Sequence, residues 1–128
     1  MPSLGRVLVV DDDPSVGAML RDLLIELGYV VKHAGGGAEA LQLVPVFEPH
    51  VVLLDLLMPE MSGVEVLDHL RRDYPTVPVI MVTGNDDEEV ARRALEAGAF
   101  DYVCKPFTLE VLGRVVAAAM VFPRERPA

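Results

Sequence analysis

Val51-Val52-Leu53-Leu54-Asp55 is a run of four branched apolar residues that ends on a carboxylate. Continuous apolar character, without polar alternation, fits a strand covered on both faces. Forward of it, Met58-Pro59-Glu60-Met61-Ser62-Gly63 reads as a loop, and a helix is expected from about Val64 to Arg72. Backward, Arg6-Val7-Leu8-Val9-Val10 is a similar run, cut off by Asp11-Asp12-Asp13. Pro14 then suits a first helical turn, and Val16, Met19, Leu20, Leu23, Leu24 and Leu27 follow at helical spacing up to a stop at Gly28.

The same grammar fills the rest of the chain. A strand is expected over Tyr29 to His33, then Gly35-Gly36-Gly37 and a helix from about Ala38 to Val46. Val79-Ile80-Met81-Val82 ends at Thr83-Gly84, before a helix from about Asp87 to Ala97 that stops at Gly98. Tyr102-Val103-Cys104 ends at Lys105-Pro106, before a last helix from about Leu109 to Val121. Five apolar strands, each feeding a helix, imply an α/β fold with a doubly wound, five-stranded parallel sheet.

The 128 residues suffice for one domain, expected over 1–122, with 123–128 as a tail or the start of a linker. Hydrophobic residues make up 52% of the chain, enough for a sheet buried between helical layers. No apolar run reaches the ~18 residues that cross a bilayer, and Met1 to Arg6 lacks the apolar stretch of a signal peptide. A cytoplasmic location without membrane attachment is the expectation. A net charge of −9 opposes nucleic-acid binding by the domain itself. Cys104 is the sole cysteine, so no intrachain disulfide forms, and it reads as a small buried hydrophobe.

In an open α/β sheet, ligands bind beyond the carboxyl ends of the strands. Those ends deliver Asp11 and Asp12, Asp55, Thr83, and Lys105. Three converging carboxylates repel one another, and a hard divalent cation such as Mg²⁺ relieves this while bridging carboxylates to phosphate. The Lys105 ammonium and the Thr83 hydroxyl suit phosphate oxygens, and Asp55 suits a nucleophile that forms an aspartyl phosphate. The set fits phosphoryl transfer, in which positioning and charge neutralisation do most of the catalysis. Each residue alone has a plainer role, as helix cap, turn or boundary. Asp13 is read as the N-cap of the first helix.

Val-Val-Asp-Asp-Asp-Pro at 9–14, Leu-Leu-Asp-Leu-Leu-Met-Pro-Glu-Met-Ser-Gly at 53–63, Val-Thr-Gly at 82–84 and Ala-Gly-Ala-Phe-Asp-Tyr-Val-Cys-Lys-Pro-Phe at 97–107 together resemble the receiver domain of two-component response regulators. The resemblance runs from Arg6 to about Val121 and implies a CheY-like, flavodoxin-like (βα)5 fold. It implies that Asp55 is the phosphoacceptor and that Asp12 ligates Mg²⁺ (or Mn²⁺) directly. Asp11 would assist through water, and the backbone carbonyl of Leu57 would complete the protein ligands. Thr83 and Lys105 would contact the phosphoryl group, with a cis bond before Pro106, and Tyr102 would stand at the aromatic switch position. The implied partners are a sensor histidine kinase or histidine phosphotransfer protein and an unidentified output domain or protein. Activation would shift the surface of the fourth helix, fifth strand and fifth helix, with a homodimer as one outcome. The activity is a signalling switch and no enzyme beyond its own phosphoryl transfer and autodephosphorylation. Apolar Leu57, with Asn85 at the second variable position, cannot orient a water by hydrogen bonding, which implies slow autodephosphorylation.

Several features stay open on sequence alone. The last helix carries more apolar residues than one stripe needs, as a deeply packed helix or as a contact face. Ala18 and Ile25 on the first helix are expected near the site, where a phosphohistidine partner docks in this family. Gly35-Gly36-Gly37 lacks the Lys-Ser/Thr of a P-loop and reads as a turn. His33, His50 and His69 share no metal-type spacing. The alternatives are a receiver-fold interaction module without phosphorylation and a haloacid-dehalogenase-type phosphatase. The latter matches Asp11-x-Asp13 but leaves Asp55 idle.

Overall fold

The ends of the helices show how the chain is punctuated. The computed structural model describes residues 3–56, 58, 61–84 and 88–122. Strand β1 (Arg6–Val10) hands over to helix α1 (Pro14–Glu26) at Asp13, whose carboxylate accepts from the Ser15 and Val16 amides at 2.8 and 3.4 Å. This is the expected N-cap, and Pro14 occupies the turn where its missing N–H costs nothing. Gly28 ends the helix with φ +107°, a conformation a side chain would strain, while its amide donates to the Ile25 carbonyl and that of Tyr29 to Leu24.

The remaining elements are β2 (Val30–Ala34), α2 (Gly37–Phe47), β3 (Val51–Asp55), α3 (Gly63–Asp73), β4 (Val79–Thr83), α4 (Glu88–Glu96), β5 (Asp101–Cys104) and α5 (Leu109–Met120). Every element expected from the sequence forms, with ends shifted by a residue or two. The second strand runs Val30–Ala34 and not Tyr29–His33, because Tyr29 closes the turn after Gly28 and drops into the core at 7% exposure. That burial pushes the Tyr29 hydroxyl pKa up from its ordinary value of 10.0. Asp87, the expected start of the fourth helix, and the 123–128 tail lie outside the described residues.

The strands pair in the order β2-β1-β3-β4-β5, all parallel. Successive strand residues face opposite sides, and the two sides feed separate cores. Leu8, Val10, Val52, Leu54, Val79 and Met81 pack with α2, α3 and α4 through Ala40, Val44, Val66, Leu67, Leu70 and Ala94. Val7, Val9, Val51, Leu53, Ile80, Val82 and Val103 pack with α1 and α5 through Leu20, Leu24, Leu112, Val116 and Ala119. The continuous apolar runs of the sequence are therefore the interleaving of two faces, each covered by helices.

Helix α5 buries one stripe, Leu112, Val116 and Ala119. Val111, Ala117, Ala118, Val121 and Phe122 are exposed, so the surplus of apolar residues is surface and not deep packing. Phe122 sets its ring edge-on to Phe100, with centroids 4.9 Å apart. No helix among the described residues is long and apolar enough to cross a membrane.

Candidate functional site

Register and pleat together bring the first and third acidic strand ends to one place. Val9 pairs with Leu53 and Val10 with Leu54. Asp11 lies one step beyond this ladder and so stands level with Asp55. Val7 and Val9 share a face with Val51 and Leu53. Asp11 and Asp55, each two residues further along, continue that face at the sheet's carboxyl edge.

The two carboxylates are the buried acidic side chains among the described residues, at 2% exposure for Asp11 and 7% for Asp55, while Asp12 is exposed beside them. One oxygen from each of Asp11, Asp12 and Asp55 lies within 4.8 Å of the others. The Asp11 carboxylate spends Oδ1 on the Asp13 amide, at 2.9 Å. Its Oδ2 is buried without a hydrogen-bond partner. Lys105 Nζ lies 3.9 Å from that oxygen, beyond hydrogen-bond range, and its side chain remains 30% exposed. An acceptor in this state is costly to bury unless a cation completes it. Oxygen-only donors, two on a buried floor and one at the rim, suit a hard divalent ion. The residues present therefore fit a magnesium-type cation.

The other expected residues divide into three groups. Lys105 reaches the cluster, and the Lys105–Pro106 peptide is cis, as the resemblance implied. Thr83 ends β4 one step past Val82, which pairs with Asp55, so its main chain flanks the cluster. Its hydroxyl, Leu57 and Asn85 lie outside the described residues. Tyr102 is half-buried and packs against the α2–α3–α4 core, on the opposite layer from Asp11 and Asp55. Ala18 is one turn into α1, near the cluster, but Ile25 is not. It sits eleven residues along α1 from Pro14, about 16 Å at 1.5 Å per residue. Ile25 belongs to the far end of the domain, and the expectation that placed it near the site is corrected.

Gly63, Ser62 and Gly17 matter to the site, and the sequence assigns none of them a role there. Gly63 opens α3 directly against β3, where a β-carbon would lie 2.7 Å from the Leu56 Cα and closer still to the Asp55 carbonyl oxygen. Its amide donates to the Leu56 carbonyl at 3.1 Å, and Ser62 caps the helix by accepting from the Glu65 amide. Gly17 is buried inside α1, and His33 packs on it. A glycine interrupting an apolar helix is the sequence signal that could have flagged Gly17.

The first two glycines of the triplet form the expected bend, and the third is a packing position. Gly37 begins α2, and a β-carbon there would meet the Val66 side chain at 2.6 Å. The Gly35 amide already donates to Glu39 Oε1 at 2.7 Å. The α2 end, with Asp12, Met58 and Met61, lines an open groove of about 520 Å³ beside the cluster. The histidines are dispersed, as expected. His33 Nε2 meets the Asp11 carbonyl, His50 Nδ1 accepts from the Arg6 amide, and His69 Nδ1 accepts from Arg72.

Comparison with known proteins agrees with this architecture. The family model described as the response regulator receiver domain matches residues 7–117. The regulatory protein AtoC of Escherichia coli is 40% identical over 120 residues, covering 94% of this chain and 26% of AtoC. The DNA-binding response regulator MtrA of Mycolicibacterium smegmatis is 42% identical over 123 residues, covering 96% of this chain and 54% of MtrA. The chain thus spans between a quarter and about half of the length of these relatives. Among solved structures, the receiver domain of NtrX from Brucella abortus superposes with a TM-score of 0.88 at 28% identity, covering 91% of this chain and 99% of that one. The chemotaxis protein CheY4 of Vibrio cholerae gives 0.84 at 31% identity, covering 89% and 97%. With the family matched across nearly all of its strands and helices, the chain belongs to the response regulator receiver domain family and is a switch module of two-component signalling.

Proposed function

We propose that Asp55 is the phosphoacceptor of this switch. A carboxylate oxygen of Asp55 forms the O–P bond as the bond from phosphorus to the donor breaks. The donor is a phosphohistidine of a sensor histidine kinase or of a histidine phosphotransfer protein, and the imidazole leaves with the bonding pair. The observation that carries this reading is the buried Asp11 Oδ2, which has no hydrogen-bond partner and only the Lys105 ammonium 3.9 Å away, beside buried Asp55. A pocket that leaves one carboxylate oxygen without a hydrogen bond, with an ammonium just out of reach, suits a cation that completes the carboxylates and an anion that engages the ammonium.

Asp11, Asp12, Asp55 and the Leu57 carbonyl would hold Mg²⁺ or Mn²⁺. Bound there, such an ion would supply positive charge that offsets the carboxylates and the incoming phosphoryl group. Lys105 supplies a fixed positive charge for one phosphoryl oxygen, and the Thr83 hydroxyl donates to another. Tyr102 and the α4–β5–α5 surface carry the change to an output domain or protein, or to a second copy of the chain. The phosphoryl group moves that equilibrium only by binding the active arrangement better than the resting one. Autodephosphorylation is slow because Leu57 offers an attacking water no hydrogen bond.

The test is intact-protein mass after incubation with acetyl phosphate, with and without Mg²⁺, alongside Asp55→Asn. One added phosphoryl group that requires both Mg²⁺ and Asp55 supports the reading. Beryllofluoride distinguishes rapid hydrolysis from an inert pocket. A protein that neither gains mass nor binds beryllofluoride is an interaction module without phosphorylation.

A further inference from the structure

We propose that His33 is a positioning residue for the cation site, acting through the main chain of Asp11. This rests on the reading that Asp11, Asp12 and Asp55 hold a divalent cation.

Asp11 is gripped by its backbone from both sides of the residue. Its amide donates to the Ala34 carbonyl at 3.1 Å. Its carbonyl lies 2.8 Å from His33 Nε2. A carbonyl only accepts, so the imidazole hydrogen in this contact belongs to Nε2. Both partners come from the last two residues of β2, the edge strand. The His33 bond therefore fixes the plane of the peptide that joins Asp11 to Asp12, the two carboxylates that follow β1. The Asp11 side chain is held in turn by the Asp13 amide. Its aim at the cluster follows from the path of the main chain over residues 11 to 13.

Helix α1 is cut to fit this arrangement. A β-carbon on Gly17 would lie 2.7 Å from His33 Nδ1 and closer still to Cε1 and Nε2. A glycine inside a helix weakens it relative to alanine, and here the space it leaves is filled by the ring. The contact spans β2, α1 and the β1–α1 loop, so His33 is the point at which an edge strand and a helix jointly set one metal-ligand backbone. Groups of this kind, which orient ligands without touching the ion, typically change metal affinity tenfold or more when removed.

The test is calorimetric titration of the full chain with MgCl₂, for wild type, His33→Ala, His33→Gln, Gly17→Ala and the Gly17→Ala/His33→Ala pair. His33→Ala is expected to weaken Mg²⁺ binding roughly tenfold. His33→Gln, whose amide nitrogen reaches the same carbonyl, restores affinity to within about threefold. Gly17→Ala displaces the ring and weakens binding in the wild-type background, yet adds nothing once His33 is alanine. The ¹³C shift of the Asp11 carbonyl in metal-free protein moves in His33→Ala and returns in His33→Gln. If wild type and His33→Ala bind Mg²⁺ equally, the positioning role is overturned while the cation site stands. Failure of glutamine to rescue would also overturn it, by assigning the loss to ring packing alone. A wild type that does not bind Mg²⁺ sinks the cation reading and this inference with it.

Discussion

Gly63 and Asp55 touch through their main chains, so the first residue of α3 is packed on the carbonyl of the residue that ends β3. A side chain at position 63 has no flexible neighbour to displace. Gly63→Ala is expected to cost about 1 to 3 kcal/mol of stability, as overpacking against backbone does. It should also slow phosphoryl uptake by Asp55, because relief of the clash moves the carboxylate. Urea unfolding and acetyl phosphate labelling on the same preparation check both effects, and a variant with wild-type values in each would refute the contact's importance.

Asp11→Asn is expected to part stability from function. The substitution removes one of three neighbouring carboxylate charges, at the cost of the 3.9 Å pairing with Lys105, and puts a donor where Oδ2 has no hydrogen bond. Metal-free protein should gain about 1 to 2 kcal/mol. The added stability that Mg²⁺ confers on wild type should disappear, since binding to the native state alone is what raises it. Thermal melts with and without Mg²⁺ decide this, and a variant less stable than wild type in chelator would count against a strained carboxylate cluster.

Tyr29 makes stability fall at alkaline pH. Burial raises the folded-state pKa above 10.0, so the native state holds a proton that the unfolded chain releases. The contribution is complete below pH 10 and is lost as the pH climbs from 10 through the higher native value. Urea midpoints measured from about pH 8 to 11 should decline at the upper end. Tyr29→Phe should flatten that part of the profile, and an unchanged slope in the variant would assign the loss to other groups.

Gly113 is a helical glycine with room to spare. A β-carbon there meets only the Leu27 methyls, at 3.4 and 3.7 Å, the flexible tip of a side chain across the α1–α5 seam. Gly113→Ala should stabilise the domain by about 0.5 to 1 kcal/mol through helix propensity and a less disordered unfolded chain. A rise of a few degrees in Tm, with Mg²⁺ affinity unchanged, is the expected result, and a fall would show that Leu27 cannot yield.

The strand ends were legible because apolar runs stop abruptly on polar residues, and a parallel sheet gathers those stops at one edge. Asp11, Asp12, Asp55 and Lys105 were found this way and do come together. What stayed hidden depends on distances that the linear chain does not display. His33 and Gly17 are sixteen residues apart on different elements, and neither type announces a packing partner. Ile25 shares a helix with the site, yet the same helix carries it about 16 Å away from the helix start. The third glycine of 35–37 read as a turn because nothing local says that Val66 occupies the space beside it.

The division of each strand between two cores has a consequence for how such a chain can vary. Deleting one residue within β1 or β3 would exchange the faces of every residue beyond the cut and turn the terminal aspartate away from its neighbour. Insertions and deletions should therefore be excluded from the strands and tolerated at the opposite rim, in a connection such as Tyr74–Pro78. Frame-preserving indels scanned along the chain should map the pleat as a barcode of permitted and forbidden cuts, legible without any structural measurement.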